Sequence, residues 1–375
     1  MPSAAAKTKQ PVTWTLREAS RDDVDGILAC RKVTFPGEDP EKAEPAFWRW
    51  EFIDNHAGPA RLFVAEDGGN IVGHYAVIPQ RFLLDRELIP GSIVVDVMTH
   101  PDYRFQGMFA ALGRYALERC STDPRLEFTT GYPIRPEVIP GHLKAGWRIR
   151  FKIGTWVMPL SSGRIMAGLS PRIGTIRGLR TLLATAPDLG MALWAHLALR
   201  RRGGTVVSRT TRCDPALFGV FWQRLRENPP RHCMIQERTP EYLSWRFDAN
   251  PGRDYVYHTA VGAGGHLIGW VVSRIATLLD VEAMILVDAC VLPGTHRDVV
   301  RALVADVRKL AIEQRCPMLA VMVTQPNPFL GNLSSLGFVP TPHKFSFITR
   351  ELAERTICSD DDLQWHLMWG DTDDI

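Results

Sequence analysis

Residues 95–112 read Val-Asp-Val-Met-Thr-His-Pro-Asp-Tyr-Arg-Phe-Gln-Gly-Met-Phe-Ala-Ala-Leu, and they decide the fold. The β-branched run Ile93–Val97 predicts a buried strand, and Pro101 ends it. A short basic turn containing Gly107 leads into a helix predicted over Met108–Arg119, where Met108, Ala111, Leu112, Tyr115 and Ala116 keep helical spacing. A helix start leaves several backbone N–H groups without partners, and the aligned peptide dipoles make that end partly positive. Arg104 adds a full charge, and Gly107 lets the backbone come close to a ligand. The chemistry this suits is an anion, most naturally a pyrophosphate.

The same pattern occurs twice. Phe47-Trp48-Arg49-Trp50-Glu51-Phe52-Ile53-Asp54-Asn55 returns as Tyr242-Leu243-Ser244-Trp245-Arg246-Phe247-Asp248-Ala249-Asn250. Val95-Asp96 with Pro101 returns as Val287-Asp288 with Pro293, and Gly146-Trp147 as Gly337-Phe338. The matches keep their order at offsets of 191 to 195 residues. The chain therefore reads as a tandem duplication of one α/β unit of ordinary domain size. At 375 residues, its length also predicts about two domains.

Each copy has the same order of elements. In the first, a strand (14–17) precedes a helix capped by Ser20, and a helical aromatic segment covers 45–52. A hairpin (61–66 with 71–79) turns at Asp67-Gly68-Gly69-Asn70, and the motif strand and helix follow. A strand (126–132), a short helix ending at Gly146 and a closing strand (148–158) complete the copy. The second copy repeats this with strands at 255–261, 267–273 and 284–291, a helix at 297–314, and strands at 318–324 and 344–349.

Composition limits the function classes. A hydrophobic share of 45% with 23% charged residues is that of an ordinary globular protein, and a net charge of +3 gives no case for a nucleic-acid partner. Seven scattered cysteines with no C-x-x-C pair predict a reduced, cytoplasmic protein without zinc or disulfides. The first dozen residues lack the apolar core of a secretion signal, and no run approaches the roughly 20 apolar residues of a membrane span.

This element order, with Val-x-x-x-His-Pro-Asp-Tyr-Arg-x-x-Gly at the strand-to-helix junction, resembles the GNAT superfamily of acyl-CoA-dependent N-acetyltransferases. The family signature Gln/Arg-x-x-Gly-x-Gly/Ala reads here Arg104-Phe105-Gln106-Gly107-Met108-Phe109, with Phe109 in place of the usual small residue. The resemblance implies a fold of the α/β (α+β) class, with two tandem GNAT-like domains, each a mixed, largely antiparallel sheet flanked by helices. The expected organisation is a catalytic domain at 12–158, a basic helical connector at 159–208, a second domain at 209–350 and a tail at 351–375. The second copy has no glycine at the helix start in Pro293-Gly294-Thr295-His296-Arg297, so it is expected to be non-catalytic.

The resemblance further implies acetyl-CoA as cofactor. Backbone groups of Val97, Met98 and Thr99 would hold the pantetheine arm and thioester oxygen, and amides from Arg104, Phe105, Gln106, Gly107, Met108 and Phe109 the pyrophosphate. Direct attack of an amine on the thioester needs a proton acceptor, a donor for the developing oxyanion and an acid for the thiolate. Asp96 is the candidate acceptor, and its alternative is a structural carboxylate, as its counterpart Asp288 suggests. His142 stands where the family commonly carries a tyrosine acid; its alternative is a helix-surface histidine. Arg135 is a candidate for an anionic acceptor or the CoA phosphates, and Trp48, Trp50 and Trp245 are expected to pack the domains together.

Residues 161–205 carry seven arginines against one acid, Asp188. They predict a pair of helices packed across the junction, broken at Pro187 and Gly190, with peripheral contact to an anionic membrane as the alternative. In the tail, Trp365 and Trp369 are expected to dock and the acids 371–374 to stay solvated, or else to form an acidic tip near an amine-binding cleft. The leading function is transfer of an acetyl group to a primary amine of a small molecule or glycan precursor. The alternatives are a longer acyl or aminoacyl group, or a non-catalytic acyl-CoA-binding or scaffold protein.

Overall fold

The structure is a computed structural model that describes residues 13–37, 39–169, 177–200, 204–278 and 281–373, side chains within 166–187 excepted. The first half contains β1 (Thr15–Glu18), α1 (Val24–Thr34), α2 (Pro45–Phe52), β2 (Arg61–Asp67), β3 (Asn70–Leu84) and β4 (Glu87–Thr99). It continues through α3 (Met108–Cys120), β5 (Phe128–Gly131), α4 (Ile139–Lys144) and β6 (Arg148–Pro159). Local chemistry explains several of these boundaries. Ser20 and Asp23 form a capping box ahead of α1, and Gly68 and Gly69 take the positive φ that a two-residue hairpin turn requires.

The connector forms α5 (Ser162–Leu169) and α6 (Arg177–Ala198). The second half comprises β7 (Val207–Thr210), α7 (Pro215–Glu227), β8 (Cys233–Gln236), α8 (Pro240–Leu243), β9 (Val256–Val261), β10 (Leu267–Leu278) and β11 (Val281–Val291). After α9 (Arg297–Glu313) come β12 (Met318–Val323), β13 (Val339–Glu351) and the tail strand β14 (Gln364–His366).

All the strands belong to one mixed, largely antiparallel sheet, ordered β1-β2-β3-β4-β5-β13-β6-β12-β11-β10-β9-β7, with β8 joining β3 and β14. The two halves exchange their closing strands. β13, from the second half, pairs with β5, while β6, from the first, pairs with β12. β6 and β13 also pair antiparallel with each other, with register shifts after Pro340 and Phe347, so one sheet joins the two halves. The segments read from sequence as successive domains therefore share a sheet. Matching hydrophobic patterns could not show this, because a closing strand looks the same whichever copy it completes.

The halves also meet at the repeated aromatic segment, where Trp50 and Trp245 stack with ring centroids 5.2 Å apart. The expectation that tryptophans pack the domains together holds for Trp50 and Trp245, whereas Trp48 is buried in the first half's own core beside Phe52.

Two expectations need correction. α6 runs continuously through Pro187 and Gly190. A mid-helix proline forfeits one hydrogen bond and costs about 3 kcal/mol, but docking offsets that cost. The Ser162 N–H donates to Asp188 at 2.6 Å, and the buried Ala195 lies over Gly337, where a side chain would not fit easily. The tail acids are the second correction. Asp371 is buried and Asp373 reaches the first half, because arginine and lysine partners there replace water. Asp374, Arg172, Arg201 and Arg202 lie outside the described residues.

Candidate active site

β4 pairs with β3 along its length but follows β5 only from Gly91 to Ile93. At Asp96 the β3 register shifts, so that Asp96 and Val97 together oppose Tyr75, and Asp96 takes a left-handed φ of 50°. Such a bulge bends a strand locally and re-aims its side chains. Beyond it lies a cavity of about 720 Å³, whose walls include Asp96, Val97 and Thr99 of β4 and the turn into α3.

That turn has the features its sequence promised. Gly107 is the N-cap of α3 with φ 82°, and no side chain caps the helix. No atom lies within 4 Å of where a Cβ on Gly107 would stand. The first amides of a 13-residue helix are thus open beside the exposed Arg104. Of the nine expected carrier-contacting residues, Val97, Thr99, Arg104, Phe105, Gly107, Met108 and Phe109 line the cavity. The Met98 side chain is buried in the core, and the Gln106 amide turns back to donate to the Asp102 carbonyl.

Phe109 does not crowd the turn. Its ring fits against Gly141 of α4, where a Cβ would come within 2.5 Å of it, and meets His142 edge-on at 5.0 Å. The large residue at the signature's last position is matched by a missing side chain on the facing helix.

Both candidate proton-transfer residues line the same cavity. His142 is buried between Phe109 and Trp147, and that burial pushes its pKa down to about 4. Its imidazole is therefore uncharged at neutral pH. Burial works against charge on Asp96, but hydrogen bonding with His74 and the charge of Arg31 outweigh it and hold the carboxyl below its usual range. At neutral pH the two candidates are thus an uncharged ring and an ionised carboxylate.

Several cavity residues had no signal in the sequence. Arg31, Phe35 and Lys42 arrive from α1 and the segment after it, and the expected candidate Arg135 joins them, lying over the Phe35 ring at 5.0 Å. Asp373 comes from the far end of the chain and bonds the Lys42 ammonium at 3.1 Å. An acid of the tail beside a cleft is the alternative given above for residues 371–374, and its reach requires the two halves to sit side by side.

The equivalent position in the second half is filled by the protein itself. β11 pairs with β12 only over Met284–Leu286, as β4 does with β5. The tail enters there. Met368 bridges Val323 of β12, and Gly370 lies so close to Asp288 of β11 that a Cβ would fall 3.1 Å from its Cβ. Arg238 ties this together, with ion pairs of 2.6 Å to both Asp288 and Asp371. Burial and Asp371 push Asp288 up to about 6 despite Arg238, so the repeated aspartates Asp96 and Asp288 shift in opposite directions. At the start of α9 the His296 imidazole accepts from the Asp298 N–H, closing the end that is open in α3.

Comparisons with known proteins agree with this fold. Residues 15–149 match the family model for an acetyltransferase (GNAT) domain. No curated protein matches the chain by sequence. Among solved structures, the chain is similar to a GCN5-related N-acetyltransferase from Anabaena variabilis (12% identity, TM-score 0.61, 90% of this chain and 73% of that one). It is likewise similar to a probable N-acyltransferase from Enterococcus faecalis (11%, 0.62, 91% and 73%). A tandem GNAT protein of the clavulanic acid biosynthesis pathway matches at 13% identity and TM-score 0.56, over 92% of this chain and all of that one. Residues 15–149 are thus similar to an acetyltransferase (GNAT) domain, and the chain as a whole has a fold similar to that of a tandem GNAT protein.

Proposed function

We propose that the first half transfers an acetyl group from acetyl-CoA to a primary amine carried by a small molecule or glycan precursor. The observation that carries this reading is the contrast between the two halves. The gap between strands and the open helix start persist in the first, while the second fills one with its tail and caps the other. The uncapped amides, the empty space at Gly107 and the Arg104 charge fit a diphosphate, and the β4 edge left without a β5 partner beyond Ile93 fits an amide-rich arm.

An acetyl-CoA in this place supplies an activated thioester. Val97, Met98 and Thr99 offer backbone groups to the arm and to the oxygen on which charge develops. Asp96, held ionised by Arg31 and His74, orients the acceptor amine and receives its proton through water. The uncharged His142 donates an N–H hydrogen bond toward the departing sulfur. Asp373 keeps one oxygen on Lys42 and offers the other to the acceptor's ammonium group.

The test is turnover. Incubation of the full chain with acetyl-CoA and a panel of amines, following free thiol, is expected to give amine-dependent thiol release. Thermal stabilisation by CoA without thiol release under any acceptor would instead make the chain a binding protein or scaffold.

A further inference from the structure

α6 turns outward a face that nothing among the described residues covers. Leu189, Leu193 and Leu197 recur every fourth residue and are 73%, 58% and 56% exposed, with Trp194 39% exposed beside them. Ala195 and Leu199 alone hold this end of the helix to the protein as buried residues. From Leu189 to Leu199 there is no acid, lysine or arginine, and His196 is the one titratable side chain. Asp188, the only acid in residues 161–205, is turned inward to accept from the Ser162 N–H. The exposed Arg200 closes the segment, and Arg201 and Arg202 follow it in sequence.

We propose that this face of α6 lies in the plane of an anionic lipid bilayer. Contiguous apolar surface of this kind is uncommon on a soluble monomer and marks a contact. An in-plane helix needs an apolar face with a tryptophan, flanking arginines that meet lipid phosphates, and no exposed acid among them. A second copy of the chain is the poorer occupant. A two-fold contact on this face would pack Leu189–Leu199 of the two copies together, and that segment offers no acid to meet the exposed Arg200 of either. No helix among the described residues is long and apolar enough to cross a membrane, so the helix rests on the bilayer surface. This inference does not depend on the acyl-transfer reading.

The experiment is vesicle flotation of the full chain with phosphatidylglycerol–phosphatidylcholine vesicles beside phosphatidylcholine alone. The chain is expected to float with the anionic vesicles, to be released by high salt, and to leave the neutral vesicles unbound. Leu193→Asp and Leu197→Asp, both on exposed positions and checked for unchanged melting, should each weaken binding by about tenfold or more. The tryptophan emission of the wild type should shift to the blue on anionic vesicles, and Trp194→Phe should remove most of that shift. Failure to float with either vesicle overturns the proposal. So does a concentration-dependent dimer that Leu193→Asp dissociates, which would make the face a contact between copies.

Discussion

Trp50 and Trp245 hydrogen-bond each other's backbones reciprocally. The Trp50 indole N–H donates to the Trp245 carbonyl at 2.6 Å, and the Trp245 indole to the Trp50 carbonyl at 3.0 Å. The two residues are 195 positions apart and hold the same place in the repeat, so their contact marks a local two-fold relation between the halves. Trp50→Ala removes a buried ring, one indole donor and the stacking partner of Trp245. It is expected to cost about 3–5 kcal/mol in urea unfolding. A loss below about 1 kcal/mol would show that the exchanged strands alone hold the halves together.

Gly141 and Phe109 form a complementary pair, and their substitutions should couple. Gly141→Ala drives a methyl into the Phe109 ring and should displace that ring toward His142 and the cavity. The expected result is a fall in kcat/KM of about tenfold or more, since overpacking of this kind costs about 1–3 kcal/mol. Adding Phe109→Leu to Gly141→Ala should restore much of the loss. Additive losses in the double variant would show that the two positions act separately.

His142 makes a pH prediction with a definite sign. Its pKa in the fold is about 4, below the ordinary histidine value, so the unfolded chain binds more protons between the two. The stability contribution of the neutral ring is complete above the ordinary value of about 6.5 and is lost as pH falls toward 4. Wild-type stability should therefore decline more steeply than that of His142→Gln over this interval, as chemical denaturation at each pH would measure. The rate profile should show no histidine titration attributable to residue 142 between about pH 6 and 8. An inflection there that His142→Gln abolishes would mean the imidazole is charged when it acts.

Asp373 links the tail to acceptor binding. Arg246 donates to the Gly370 and Thr372 carbonyls, and Arg238 grips Asp371, so the last turn is fixed before Asp373 reaches Lys42. Asp373→Asn should raise KM for the amine by about tenfold, while CoA affinity stays the same. Asp373→Glu should recover part of the loss. Equal changes in CoA affinity and amine KM would assign Asp373 a purely structural role.

Much of this was legible in the residues because it depends on local chemistry. The Ser20 cap, the Asp67–Asn70 turn and the strand–Gly107–helix junction each depend on neighbours within a few positions, and the structure has them where they were read. The repeat gave the two-fold relation, since Trp50 and Trp245 share one environment. What lay hidden depends on distance along the chain. The exchange of β6 and β13, the tail wedged beside Asp288, and the pairing of Asp373 with Lys42 join residues that share no local pattern. Pro187 misled for the opposite reason, because a local penalty was outweighed by packing.

Titration calorimetry of coenzyme A into the full chain tests the central claim most directly, because it counts sites as well as measuring affinity. The account predicts one site per chain, weakened about tenfold or more by Arg104→Ala, an exposed position whose loss should leave melting unchanged. Two sites per chain, or an affinity indifferent to Arg104, would contradict it.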